Sequence, residues 1–443
     1  MKLNNSQTIR IGFAFLSICA FWQLYNNVVP LILTNTFHLN ETYSGMIMAA
    51  DNILALFLLP LFGSISDRTN TRMGRRKPFI LFGTIAAVCA MLVLPVIDNL
   101  YAATHNEIFT VVFIVVLALI LIIMGTYRSP AVALMPDVTP KPLRSRANAI
   151  INLMGALGGI IYLIIATLLY SEKRTAGLDH VNYFLLFAVV AGIMLFSLAI
   201  VMFTVDEVAL SAKMREYEAA HPEENLAETD ESGKEELPKD VRRSLGFILV
   251  SVSLWFISYN AVETWFTTYA SRQWNMALGS ASLCLTIATV GAIATYIPAG
   301  AMAGKIGRKK TIMGGIILMI AAFAMAFIYT LLSDQFSPIL YVLFVMIGVG
   351  WAAINVNSLP MVVEMCKGSD IGKFTGTYYT FSMAAQIVTP IVAGWLMNHV
   401  SYSTLFPYSL FFIAAAFLTM SMVKHGDSEV TVKKGLEAFD VDD

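Results

Sequence analysis

Residues Gly63–Lys77 read GSISDRTNTRMGRRK, and residues Gly300–Lys310 read GAMAGKIGRKK. Each stretch follows a long apolar run and closes on a glycine and a group of cations. The same punctuation at two distant places is the signature of a duplicated unit. The surroundings say what kind of unit. The 443-residue chain is 57% hydrophobic and 13% charged, with a mean hydropathy of +0.69. A soluble protein would carry about a quarter charged residues, so the composition is that of a membrane protein. The net charge of −1 gives no field for a nucleic-acid partner.

A helix needs about 20 mostly apolar residues to cross the hydrocarbon core. Twelve segments qualify: 9–34, 42–66, 78–97, 108–136, 146–170, 183–204, 244–270, 279–303, 311–332, 338–363, 372–398 and 404–424. The expected fold is an all-α membrane protein of twelve transmembrane helices in two six-helix halves. The first run contains WQLYNN and continues through Pro30 without a small-x-small cleavage site, so it reads as a retained span. With the N-terminus in the cytoplasm, the external loops hold only Lys173, Arg174 and Arg272 of the 29 Lys and Arg residues. That bias predicts cytoplasmic termini in a plasma membrane. It also places the cations of GSISDRTNTRMGRRK against anionic headgroups of the bilayer.

Between residues 205 and 243, twelve acidic residues outnumber six basic ones, which predicts a solvated, partly helical cytoplasmic linker. The expected organisation is therefore 1–204, an N-terminal half; 205–243, the linker; 244–424, a C-terminal half; and 425–443, a polar tail. Two further matches support the duplication. WQLYN (22–26) in span 1 parallels WFISYN (255–260) in span 7. ALMPDVTPKPLRSRAN, between spans 4 and 5, parallels PMVVEMCKGSDIGKFT, between spans 10 and 11. In these, Asp137 precedes Arg146, and Glu364 precedes Lys373, by nine residues each. Repeated halves with a site between them are the architecture of alternating-access transporters.

Gly63-x-x-x-Asp67-Arg68…Gly74-Arg75-Arg76 resembles the loop motif of the major facilitator superfamily, and the twelve-span, two-half plan fits it over nearly the whole chain. The residues TNTRM and KPFI around the cations are similar to those of glycoside–pentoside–hexuronide sugar:cation symporters. They are more similar still to plant sucrose transporters and their animal and bacterial relatives. The resemblance implies that Asp67 is a gate residue near the N-terminus of span 11, where the helix dipole favours a carboxylate. It also implies that Arg75 and Arg76 pair with acidic groups such as Asp137. Arg146, Glu364 and Lys373 complete the gating set by the repeat. Gly304 stands where Asp67 would be, so the second copy is expected to form a weaker gate.

Polar groups at membrane depth face a cavity or one another. Gln23, Asn26 and Asn27 share a face of span 1, and Tyr259, Asn260 and Glu263 share a face of span 7. The resemblance implies that both spans line a central cavity. Amides beside aromatic rings suit a sugar, whose hydroxyls take the hydrogen bonds and whose apolar face meets a ring. Trp22, Tyr25, Trp255 and Trp265 are the nearby aromatics. The alternative is amides that hold helices together. Arg128 in span 4 is a candidate for substrate contact and coupling, or a snorkelling cation. By the resemblance, the plant transporters' arginine falls at Val132 and their aspartate at Leu121, so their coupling residues are not reproduced. Asp51 lies about nine residues into span 2, roughly 13 Å deep, and its repeat partner is Ala288. Burial there would let it exchange a proton at physiological pH, and the resemblance implies a coupling-cation role for span-2 aspartates. The alternative is a permanent hydrogen-bonded or ion pair that only holds helices together, with Arg128 as a candidate partner. Asn355, Gln386, Asn52, Asn357 and Tyr378 are secondary candidates.

No phosphate-binding loop, metal-ligand spacing or Gly-x-Ser-x-Gly nucleophile occurs. The four cysteines are single and widely spaced. The expected function is proton-coupled symport of a disaccharide or glucoside, with sodium as the alternative ion, no cofactor, and a monomer as the working unit. An exporter of drugs or metabolites is the alternative within transport; a membrane sensor is the alternative outside it.

Overall fold

The computed structural model describes residues 4–140, 143–220, 238–333, 335–365 and 371–427. Among these residues the chain forms α1 (Asn5–Leu31, continued by a π-helical turn, Ile32–Thr36), α2 (Glu41–Arg68), α3 (Lys77–Thr104), α4 (Ile108–Asp137), α5 (Arg144–Leu169) and a short α6 (Glu172–Thr175). It continues with α7 (Phe184–Thr204), α8 (Glu207–Ala220), α9 (Lys239–Trp274), α10 (Leu278–Ile306) and α11 (Arg308–Leu332). The last helices are α12 (Ile339–Glu364), α13 (Ile371–His399) and α14 (Leu405–Ser421). Twelve described helices are long and apolar enough to cross a membrane. Several outrun the apolar windows of the sequence; α9 has 36 residues. Their polar ends continue the backbone hydrogen-bond ladder past the hydrocarbon, where water and headgroups accept charged side chains.

Local chemistry sets the helix ends. Asn4 and Asn40 cap α1 and α2 through side-chain oxygens that accept from Gln7 N and Tyr43 N, each satisfying an orphan donor of the first turn. Asn275 ends α9 in the left-handed region, a conformation asparagine tolerates. Pro30 inside α1 lacks an N–H, and the helix loosens to the π-turn two residues later.

The chain divides into two compact units: Met1–Ala220 with Met276–Leu283, and His221–Asn275 with Cys284–Asp443. In the first, α1 packs on α5 and α7, and α4 packs on α2 and α3. In the second, α9 packs on α13 and α14, and α11 packs on α12 and α14. Association of helices in lipid relies on close packing and small residues. Gly158 of α5 shows this: a Cβ there would sit 2.2 Å from the Leu16 carbonyl of α1.

Two expected boundaries move. The linker expected from residue 205 onwards begins with the helix α8, Glu207–Ala220, but its first residue, Glu207, is 2% exposed and not solvated. Residues 221–237 lie outside the described residues. The sequence places the polar tail from 425 onwards, but His425 and Asp427 bond to the second unit through Ser244 and Arg308. The tail from 428 on lies outside the described residues.

Candidate functional site

The geometry of the loop sequences is clearest at Arg76, which is 4% exposed. Its Nε donates to Asp137 Oδ2 at 2.7 Å, and its other nitrogens donate to Ser66 Oγ and Asp67 Oδ1. One guanidinium thus ties the end of α2 to the end of α4. Burial opposes its charge, but the hydrogen bonds to Asp137 and Asp67 outweigh it and move the pKa up. Arg75 is peripheral: it is 44% exposed and 3.6 Å from Asp137. The expected pairing of the loop arginines with Asp137 is present, with Arg76 as the main partner. Replacing Asp137 by Asn should destabilise the first unit by about 3 kcal/mol, because a buried cation loses its main counter-charge. A thermal melt of purified protein checks this.

Sequence reasoning missed Glu207. Its carboxylate accepts the backbone N–H of Arg75 (2.6 Å), Arg76 (2.9 Å) and Lys77 (2.9 Å). An anion at the N-terminus of α3 satisfies orphan donors and complements the helix dipole. Lys77 Nζ in turn donates to the carbonyls of Met202 (3.0 Å) and Val205 (2.7 Å) at the end of α7. Gly74 makes room for the carboxylate, at φ 110°.

The second unit repeats the arrangement. Gly307 has φ 96°, Arg308 N donates to Asp427, Arg308 Nη1 pairs with Glu364, and Lys309 Nζ donates to the carbonyls of Ser421 and Val423. The roles shift by one residue against the sequence match. Arg76 corresponds to Arg308 and Lys77 to Lys309, whereas the glycines align Arg75 with Arg308. Gly304 leaves Arg308 without a counterpart of Asp67. Arg146 is exposed, and the Lys373 side chain lies outside the described residues.

Deeper in the first unit, Arg128 lies over the Trp22 ring, 5.5 Å from its centroid, a cation–π contact between α4 and α1. Asp51 Oδ1 accepts from Asn52 Nδ2 at 2.9 Å. Arg128 and Tyr25 both face Asp51; among the described residues Arg128 is not within ion-pair distance of it. Tyr25 Oη reaches the carbonyls of Ile47 and Met48 at 3.4 Å. Asn27 Nδ2 bonds to Gln23 O (2.8 Å) and Oε1 (3.1 Å) on its own helix, so these two residues are committed to each other. Asn26 is half-buried.

In the second unit, Tyr259 stacks flat on Trp351, 4.0 Å between centroids and 7° between planes, and Phe256 meets Trp351 edge-on at 5.2 Å. Trp351 is 8% exposed and fixes the half-buried tyrosine. Beside Tyr259 in the chain, Asn260 is buried and its Nδ2 has no hydrogen-bond partner among the described residues. Asn355, one turn after Trp351, is also buried. Glu263 and Gln386 are half-buried. Two expected aromatics are elsewhere: Trp255 and Trp265 are fully buried packing residues, the latter bonded to the Pro390 carbonyl. Sequence reasoning does not single out Trp351; its place four residues before Asn355 is the available signal. Asn357 and Tyr378 are buried and bonded within the unit, to Ala353 O and Ser358 Oγ.

A family model described as Major Facilitator Superfamily matches residues 11–280 and 267–438. Among curated relatives, the sucrose transport protein SUC3 of Arabidopsis thaliana is 28% identical over 138 residues, which are 28% of this chain and 23% of that protein. The uncharacterized protein YqgE of Bacillus subtilis is 27% identical over 198 residues, 43% of this chain and 44% of that one. The chain thus matches less than half the length of either. Among solved structures, the inward-open xylose transporter XylE from E. coli aligns with a TM-score of 0.65 at 13% identity, covering 98% of both chains. A mutant form of the nucleoside transporter NupG aligns at 0.66 and 14%, covering 95% of this chain and all of that one. These structural likenesses speak for the fold. With twelve membrane-length helices among the described residues, two copies of the arginine–carboxylate loop and a family match over nearly its full length, the chain belongs to the Major Facilitator Superfamily and is a multi-pass membrane protein.

Proposed function

We propose that the protein carries a sugar, a disaccharide or glucoside, together with a proton by alternating access in the plasma membrane, with both termini in the cytoplasm. The observation that carries the substrate class is the Tyr259–Trp351 platform beside the unpartnered Asn260 amide. A pyranose has an apolar face that an aromatic ring covers and hydroxyls that accept from a buried amide donor, which otherwise costs free energy unpaired. Asn355 supplies a second amide. The likeness to the sucrose transport protein supports the same class.

Asp51 is the proposed proton carrier. It is a carboxyl inside a membrane-spanning helix with one amide donor, and a nearby arginine held over Trp22. Protonation from outside removes its charge; sugar and proton then favour the same transition, which suppresses slippage of the half-loaded carrier.

The substrate reading is tested by labelled uptake of a panel of sugars. Tyr259→Ala and Asn260→Ala should each weaken apparent sugar affinity by about tenfold, the worth of one aromatic contact or one buried hydrogen bond. Tyr259→Phe should stay near wild type. Unchanged sugar affinity in both alanine variants, with folded protein in the membrane, would remove the platform from the substrate site.

A further inference from the structure

The first unit holds a second buried carboxyl, far from the loop that Glu207 braces. Asp98 lies near the opposite end of α3 and is 0% exposed. Among the described residues neither of its carboxylate oxygens has a hydrogen-bond partner of good geometry. The Thr36 hydroxyl, in the last residue of the π-helical turn, is a nearby donor and favours the charged form. Among the described residues, the only basic group within ion-pair distance is His180, whose Nε2 is 3.5 Å from Asp98 Oδ2. His180 belongs to the 170–183 loop, so the contact joins that loop to α3.

The polar chain around the pair fixes the imidazole tautomer. Phe184 N donates to Asn182 Oδ1 at 2.8 Å, which identifies that atom as oxygen. Asn99 Nδ2 therefore donates to Asn182 Oδ1 (3.0 Å), and Asn99 Oδ1 faces His180 Nε2 at 2.9 Å. An oxygen there requires a hydrogen on Nε2. Tyr170 Oη closes the group by donating to the Asn182 carbonyl at 2.8 Å.

A fully buried carboxylate so poorly supplied with donors is too costly to persist uncompensated. Either Asp98 carries a proton, or His180 carries a second one on Nδ1 and the two form an ion pair. In both cases the closed pair holds one titratable proton and no net charge. The facing groups bring none. Tyr183 faces Asp98 and meets the Tyr170 ring at a tilt, 5.2 Å between centroids, with Tyr162 of α5 beside them. Burial pushes the Tyr183 and Tyr170 phenols up, so they stay neutral. Burial also holds the His180 imidazole below its usual value. The π-turn and α7 carry no charged residue. Glu107, before α4, is engaged with Tyr101 Oη, and Asp179 is exposed.

We propose that Asp98 and His180 are a second proton-binding site, separate from Asp51, whose single proton latches the 170–183 loop onto α3. When the loop lifts, water reaches both side chains. The carboxyl ionises, the imidazole remains neutral above its ordinary range, and one proton leaves to solvent. The closed latch therefore binds one more proton than the open one. Between the ordinary range of the free imidazole and the pH at which the closed pair itself gives up its proton, acidification favours closure and alkalinisation favours opening, by up to about tenfold per pH unit.

Hydrogen exchange on the full-length protein in lipid nanodiscs tests this without any sugar, so its failure is separate from failure of the transport reading. Wild type and Asp98→Asn are compared at the same pH, which cancels intrinsic exchange rates. The amide mimics the protonated carboxyl and keeps the latch shut. At about pH 6 the 171–183 amides should exchange alike; at about pH 8.5 wild type should exchange several-fold faster. A wild-type to variant ratio that is the same at both pH values overturns the proposal. If Asp98→Asn does not fold, His180→Ala serves: it should lose loop protection at the lower pH while peptides from α1 and α5 stay protected. Wild-type protection of the loop in that variant at the lower pH equally overturns it.

Discussion

Asp51→Asn is expected to leave labelled sugar exchanging across the membrane while abolishing its accumulation against a gradient. The amide imitates the protonated carboxyl in size and charge, so the carrier passes between its states as though permanently loaded with a proton. Asn52, which donates to Asp51 Oδ1 at 2.9 Å, can donate to the amide oxygen in the same place. Exchange of internal for external sugar needs no net proton movement and survives. Net uphill uptake needs the proton to leave inside, and the accumulation ratio falls to about one because the two gradients are no longer linked. The measurement is a pair of assays on one preparation, counterflow and energised uptake. Uphill uptake by Asp51→Asn would remove Asp51 from coupling.

Gly74→Ala is expected to destabilise the first unit strongly. The glycine sits at φ 110°, a region that L-residues avoid, and its Cβ would lie 2.3–2.8 Å from the Glu207 carboxylate. The carboxylate must leave, and three backbone N–H groups at the start of α3 lose their acceptor. Backbone strain and cap loss together come to about 2–4 kcal/mol. For a unit of this size that is roughly 2–4 °C of melting temperature per kcal/mol. Glu207→Ala should reproduce the cap loss without the strain and fall between Gly74→Ala and wild type. A thermal melt of the three proteins in one detergent checks the order; wild-type melting of Gly74→Ala would mean that Glu207 does not brace this loop.

The two loop sequences make the fold readable before any coordinates. Glycine before cations, after an apolar run, announces a tight inner turn, and its recurrence announces the duplication. The partners of Arg76 are partly legible, because Asp137 sits at the end of a neighbouring apolar run. Glu207 is not. It lies in a stretch whose net acidity reads as solvated linker, and composition does not reveal which one of twelve carboxylates caps a distant helix. The aromatic platform is half legible. Tyr259 and Asn260 stand out as polar residues in an apolar span, but Trp351 resembles any other core tryptophan until its ring is seen flat on Tyr259. Trp255 and Trp265 show the reverse, aromatics that chain proximity assigns to the site and packing assigns to the core. Asp98 escapes sequence reasoning because it lies one residue past the predicted apolar window and reads as an interfacial acid. Only the loop folding over it, with His180, makes it a buried one.

The most direct test of the central claim is external pH in a lightly buffered suspension of de-energised cells expressing the protein. Maltose, sucrose, other glucosides and monosaccharides are added in turn, with and without sodium. Transient alkalinisation by one class of sugar, lost in Asp51→Asn, is the predicted result. No pH change and no sodium-dependent uptake with any sugar, with folded protein confirmed in the membrane, would contradict proton–sugar symport and favour an exporter.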